Sequence, residues 1–267
     1  MHVSLPAQTL LLEGPDAAAF AHAQFSSKVD ALPVGQWQFS AWLDAKGRVV
    51  ALFHLARLQH DRYLLLLRGG EAASMVDALR RFVFRARLQL FALPPRTLAT
   101  GPAQPLHVAS EQGDAVSLGC GSHSLVICAD GSADNRWRLP QLREGWPWLP
   151  ASMHGALLPA ALSLQRLGAV VVDKGCYPGQ EIVARLHFRG GHKRHLHRGT
   201  LPQRVDAGAA LRVDAREVGC ILDVVANDNA FEALLAIDDE TAEQWRGGTT
   251  PMFEPPLAMR LLSSWPA

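Results

Sequence analysis

The sequence predicts an α+β fold in two parts, and three observations carry the prediction. Up to about residue 190, strand-like runs alternate with stretches of helical spacing. From His195 onward only short β-like runs remain, separated by turns, and the pair Gly190-Gly191 stands between the two regions. A boundary at that pair gives a mixed N-terminal module, residues 1–191, and a small barrel or sandwich, residues 192–267. A chain of 267 residues suits two domains, at about 150 residues per domain.

Residues 15–23 open with Pro15 and Asp16 and run through alanines, which predicts a first helix with proline and acidic charge at its start. Residues 37–57 read as two strands around Asp44-Ala45-Lys46-Gly47, a hairpin with glycine at the turn, and residues 63–67 as another strand. Residues 70–84 place Ala73, Val76, Leu79, Arg80 and Val83 near helical spacing. ALPPRTLATGPAQP, residues 92–105, reads as a linker or surface loop. LHVAS (106–110), SLVICAD (124–130) and NRWRL (135–139) read as strands, and residues 158–167 as a helix. PGQEIVARLHFRGG, residues 178–191, reads as a short helix with Glu181 in its first turn, closed by the glycine pair. The β-like runs beyond it are RHLHRGTL, ALRVDA, VGCILDVVA, FEALLAI and LAMRLL.

A hydrophobic content of 48%, a charged content of 19% and a net charge of +1 describe an ordinary globular chain. Such a balance gives no bulk electrostatic reason for nucleic-acid or membrane binding, so any such site has to be a local patch. The longest aliphatic run, residues 64–67, is far too short to span a bilayer, and the first sixteen residues lack the pattern of a secretory leader. Cys120, Cys128, Cys176 and Cys220 are widely spaced with no C-x-x-C. The expectation is a cytoplasmic protein with no disulfide framework, no metal site and no membrane partner.

The chemistry concentrates at Cys176. It stands just before the 178–191 helix, whose N-terminal partial charge favours an anion, and Lys174 lies two residues earlier; both features favour a thiolate. Glu181, Arg185 and Arg189 follow at i, i+4 spacing. Arg185, Arg189, Lys193, Arg194 and Arg198 then form a basic segment interleaved with His187, His192, His195 and His197. It reads either as an anion site, for a carboxylate-bearing cofactor or an RNA backbone, or as a solvated connection between domains.

KGCYPGQEIVARLHFRGGHKR, residues 174–194, resembles the signature of the YgfZ family, folate-binding proteins of iron–sulfur cluster maintenance related to the glycine cleavage T-protein, an aminomethyltransferase. L-x-G-x-D-A-x-x-F at 12–20, K-G-R-V at 46–49, the Trp137 to Pro147 spacing and R-E-V-G at 216–219 extend the resemblance over most of the chain. It implies a T-protein-like folate-binding module around a central cavity, followed by a small C-terminal β-barrel. It implies Cys176 and Lys174 as the functional centre and tetrahydrofolate or a derivative as cofactor. Trp137 and Tyr177 would stack on the folate rings, Arg185 or Arg194 would hold the glutamate tail, and Gln180 and Glu181 would complete the cofactor set. The implied partners are iron–sulfur client or assembly proteins, including tRNA-modifying enzymes.

Three departures stand out. Ser26-Ser27-Lys28 replaces a common Thr-Asn-Asp, Ser163 stands where an asparagine is common, and Val50-Ala51 occupies the place of the aminomethyltransferase's acidic pair. An apolar pair cannot exchange protons with an amine, which disfavours aminomethyl transfer. Direct RNA binding or modification through the 185–198 segment is the third reading, and the near-neutral chain disfavours it.

Overall fold

A computed structural model describes residues 6–129, 131–228, 230–248, 251–253 and 256–265; Asp130, the end of one expected strand, and the first five residues lie outside it. The first sheet is antiparallel and contains β1 (Thr9–Glu13), β2 (Gln36–Leu43), β3 (Val49–Gln59), β4 (Arg62–Leu67) and β5 (Gln89–Ala92), in the order β2-β3-β4-β1-β5. Successive side chains of a strand point to opposite faces. In β4, Tyr63, Leu65 and Leu67 accordingly pack with one core cluster and Leu64 and Leu66 with another. A strand buried on both faces reads as an unbroken aliphatic run, which explains the sequence of residues 63–67. Helices α1 (Ala17–Gln24) and α2 (Ala72–Arg80) supply Phe20, Met75, Val76 and Leu79 to the cluster that also holds Tyr63.

The second sheet differs from expectation. It comprises β6 (Thr97–Gly101), β7 (Ala109–Gln112), β8 (Ala115–Gly119) and β9 (Ser124–Cys128), in the order β6-β9-β8-β7. β6 lies inside the segment expected to be a loop, because Pro94, Pro95 and small residues flank a strand in which only Leu98 is buried. β8 carries no long apolar run and escaped notice. Residues 135–139 are not a strand: they form a turn leading into α3 (Arg138–Arg143), with Trp137 already in the right-handed helical region. A five-residue stretch with two apolar residues cannot distinguish the two periods. Residues 158–167 are not one helix either. Two 3₁₀ turns, Pro159–Leu162 and Gln165–Leu167, are separated by Ser163 in a left-handed conformation, φ 49°.

Helix α4 (Gln180–Arg189) forms as expected and ends at Gly190, φ 67°. Beyond it, β10 (Arg194–Leu201), β11 (Ala210–Val213), β12 (Arg216–Asn227), β13 (Ala230–Asp238) and β14 (Arg260–Trp265) make an antiparallel barrel-like sheet in the order β11-β12-β13-β10-β14. Helix α5 (Asp239–Arg246) follows β13. Register shifts at Arg198/Gly199, Leu211/Arg212 and Ile221/Asp223 mark bulges, which increase local twist. The whole is α+β, with open sheets.

The largest core cluster runs through both regions, joining Trp37, Leu52, Trp137 and Leu162 to Leu196, Leu222 and Leu234. Polar links reinforce it. Arg138 of α3 pairs with Asp223 of β12, and Arg143 with Glu232 of β13 at 2.5 Å. Among the described residues no helix is long and apolar enough to cross a membrane.

Candidate functional site

A cavity of about 1220 Å³ opens between α3, the loop around Trp148, and strands β12 and β13. Its wall combines the flat rings of Trp148 and Phe231 with the cations Arg136, Arg138 and Arg204 and the carboxylates Asp134 and Asp223. Burial opposes ionisation of Asp134, but hydrogen bonds from Arg136 and Thr100 outweigh it and hold the carboxyl well below its usual value. Burial raises Asp223, opposed by its ion pair with Arg138. The Arg138 Nε is buried with no hydrogen-bond partner. A pocket of this size exceeds the roughly 300–1,000 Å³ typical of small-molecule sites.

Behind Trp148 lies an arginine without a carboxylate. Arg68, 1% exposed, follows β4 and leads into Gly69-Gly70. Its Nε donates to Pro147 O at 2.7 Å, and its terminal nitrogens donate to Gln141 Oε1 at 2.7 Å and Trp146 O at 2.8 Å. The guanidinium also lies over the Trp148 ring, 4.9 Å from its centroid. Burial draws its pKa down to about 9, which leaves it charged at neutral pH. Gln141 carries the network on to His123 at 3.2 Å and to Cys120, whose thiol burial pushes up to about 12. Carbonyl and amide dipoles and the Trp148 ring hold this cation directly, so Trp148 is backed by a buried charge. Sequence reasoning missed Arg68, Trp148 and Asp223; the one available signal was an arginine ending an otherwise aliphatic strand.

The sequence-predicted residues do not converge on this cavity. Trp137 is 1% exposed; its Nε1 donates to Asp134 O at 2.9 Å, and its ring packs 5.1 Å from Trp148. It stands behind the cavity wall while Trp148 forms the surface. Tyr177 is buried, its hydroxyl donating to Val171 O at 2.7 Å and its pKa raised by burial. Gln180 Nε2 donates to Lys174 O at 3.1 Å, and Glu181 and Arg185 are exposed on α4 with no ion pair between them. Arg194 is committed inside the protein, to Asp238 at 2.9 Å and Glu217 at 3.7 Å. None of these six side chains lines the cavity.

Cys176 is exposed, in a loop fixed by two close approaches. Gly179 (φ 77°) sits on the β2–β3 turn so closely that a Cβ there would stand 2.5 Å from Asp44 O and 2.7 Å from Gly47 Cα. Only glycine meets both conditions. Lys174 does not accompany the thiol. Its ammonium donates to the carbonyls of His22, Phe25 and Ser27 at 2.5, 2.6 and 2.9 Å, closing the C-terminal end of α1, where cations are favoured. Burial lowers its pKa to about 8. Lys174 is therefore a positioning residue that moors the loop, with all three protons used. Helix α4 begins four residues after Cys176, and no N–H of that helix reaches the sulfur among the described residues. No group of three or more His, Cys, Asp or Glu side chains suited to a metal converges among them.

No family model matches the chain. Among curated proteins it is similar to the tRNA-modifying protein YgfZ of Serratia proteamaculans, 24% identical over 87% of this chain and 86% of the relative. It is likewise similar to that of Klebsiella pneumoniae, 26% identical over 82% and 78%. The chain thus resembles the YgfZ proteins over most of its length. Among solved structures it resembles the glycine cleavage system aminomethyltransferase T from Bartonella henselae, with a TM-score of 0.66, 18% identity, and coverage of 88% of this chain and 77% of that one. The likeness establishes the T-protein fold.

The three departures from the YgfZ-like pattern are structural joints. Ser26 Oγ donates to Ala169 O at 2.7 Å and also bonds Ala41, and Ser27 Oγ meets Ser40 Oγ at 2.7 Å, both serines fully buried. Ser163 Oγ donates to Trp265 O and accepts from Leu196 N at 3.3 Å, tying β14 and β10 to the first region. Ala51 is buried in the helix-side core.

Proposed function

We propose that this protein binds a reduced folate in the cavity between its two regions and, through exposed Cys176, supports iron–sulfur enzymes, tRNA-modifying ones among them. The observation that carries the reading is the cavity itself. A folate joins a flat heteroaromatic ring to an anionic glutamate tail, and the wall offers flat surfaces at Trp148 and Phe231, cations at Arg136, Arg138 and Arg204, and an acceptor at Asp223. Bound tetrahydrofolate would supply carriage of a one-carbon unit; this chain's residues would stack its rings, neutralise its tail and shield it from water. The names of the curated relatives support the link to tRNA modification. Val50-Ala51 argues against aminomethyl transfer, since neither side chain can manage an amine proton.

Calorimetric titration with tetrahydrofolate tests the cofactor half. Wild type is expected to bind, and Arg136→Ala combined with Arg204→Ala to bind at least about tenfold more weakly, because two charge-assisted contacts are lost. Equal affinity in that variant would sink the cavity assignment. Gene deletion followed by assays of several iron–sulfur enzymes tests the other half: Cys176→Ala is expected to fail where wild type restores activity, and full restoration by it would remove the thiol from the function.

A further inference from the structure

We propose that the surface around Cys176 docks an acidic protein, with the exposed phenylalanines and unpaired arginines of the 80–91 segment and of helix α4 as its anchors. The proposal rests on the reading that Cys176 acts on a partner. After α2 the chain runs RRFVFRARLQLF, residues 80–91, with four arginines and no acidic residue. Phe84 is 85% exposed and Phe82 46%, and the Arg85 guanidinium lies over the Phe84 ring at 5.5 Å. A chain of contacts links this segment to the thiol loop. Phe82 meets Trp42 edge-on at 6.2 Å; Trp42 bridges to Phe25; and Phe25 O holds Lys174 at 2.6 Å, two residues from Cys176. Helix α4, continuing from the same loop, exposes Phe188 (75%) and Arg185.

The charge on this surface is unbalanced. Three of its acidic side chains already have partners, Asp77 bound by Arg80 at 2.8 Å, Asp16 by Arg87 at 3.4 Å and Asp173 by Lys28 at 2.5 Å, which leaves exposed Glu181 outnumbered by the free arginines. Among the described residues Arg81, Arg85 and Arg185 have no carboxylate. Protruding aromatic rings beside arginines are the composition of interface hot spots, and uncompensated cations select an acidic counterpart. The exposed thiol decides between a protein and an RNA. Thiols exchange with sulfur and bind soft metals, groups that a protein partner brings and an unmodified RNA lacks. The basic stretch that the sequence advertised, 185–198, contributes less than expected, because Arg194 and Arg198 are committed to Asp238 and Glu232.

The test uses the full chain and the double variant Phe84→Asp/Arg85→Glu. Fluorescence anisotropy with a labelled twelve-residue peptide alternating glutamate and leucine, and in parallel with labelled oligouridine of the same length, reads the surface directly. Wild type is expected to bind the peptide, more tightly than the oligouridine, and the variant to bind it at least about tenfold more weakly, with tetrahydrofolate affinity unchanged. In a strain deleted for the gene, the variant should fail to restore iron–sulfur enzyme activities that wild type restores. Restoration by the variant equal to wild type, or preference for oligouridine, overturns the proposal. Peptide binding lost in the variant while wild type restores nothing leaves the docking surface standing and removes the iron–sulfur reading.

Discussion

The cavity wall and the Cys176 loop hold their functional groups by opposite means. At the wall, a buried guanidinium is satisfied by two carbonyls, an amide and an aromatic face, so that Trp148 is fixed from behind. At the loop, no hydrogen bond reaches the sulfur among the described residues; glycine packing on the hairpin and a lysine mooring on α1 fix the backbone and leave the side chain open. A group that must present a shaped, charged surface is built from a dense network, whereas one that must meet another molecule is kept clear of neighbours.

The sharpest way to break this contrast is at Arg68. Arg68→Met leaves the carbonyls of Trp146 and Pro147 and the Gln141 amide without their donor, and is expected to cost about 3–5 kcal/mol in urea unfolding. A cost below 1 kcal/mol would show that the wall does not depend on it. The two tryptophans should then separate. Trp137→Ala, a core truncation, is expected to lose about 3–5 kcal/mol of stability. Trp148→Ala is expected to weaken tetrahydrofolate binding about tenfold or more, as loss of a stacking face does. The reverse assignment, with affinity lost in a stable Trp137 variant, would return Trp137 to the binding surface.

Acid should affect the wall through its histidines. Burial, followed by the Arg68 charge, lowers His54 and His123, and burial lowers His197 to about 4. The folded state thus refuses protons that the unfolded chain accepts below the ordinary value of 6.5, so stability is level above that pH and falls as pH drops towards about 4. Each unit of depression is worth about 1.4 kcal/mol, and His54→Gln should flatten the slope between pH 7.5 and 5. An unchanged slope would mean that His54 is not held neutral. The smallest effect belongs to the loop: Gly179→Ala adds a Cβ against Asp44 O and requires a left-handed backbone, at about 1–3 kcal/mol, and should raise the alkylation rate of Cys176 by loosening its mooring.

Local chemistry decided what could be read in advance. Helix α4 was legible because Pro178, Glu181 and the glycine pair are local signals at its ends. The hairpin at Lys46-Gly47 was legible for the same reason. Residues 158–167 were not, because their backbone is set by Ser163 reaching Trp265, about a hundred positions away. Lys174 was expected beside the thiol from extended spacing, but three carbonyls at the end of α1 take its ammonium instead. Arg68 was invisible because an arginine at a strand end ordinarily reads as solvent-exposed, and only the return of residues 141–148 encloses it.

The core shared between the two regions also determines how the cavity exchanges its contents. Leu222 and Leu234 pack in the same cluster as Trp137, and Arg138, Arg143 and Ser163 fasten the halves on the polar side. Parting them would rupture that cluster and all three fasteners together, an event on the scale of global unfolding. A ligand of the proposed kind would therefore leave past the exposed side chains of Arg136 and Arg204, and its release rate should respond to substitutions there and not to those that weaken the joint.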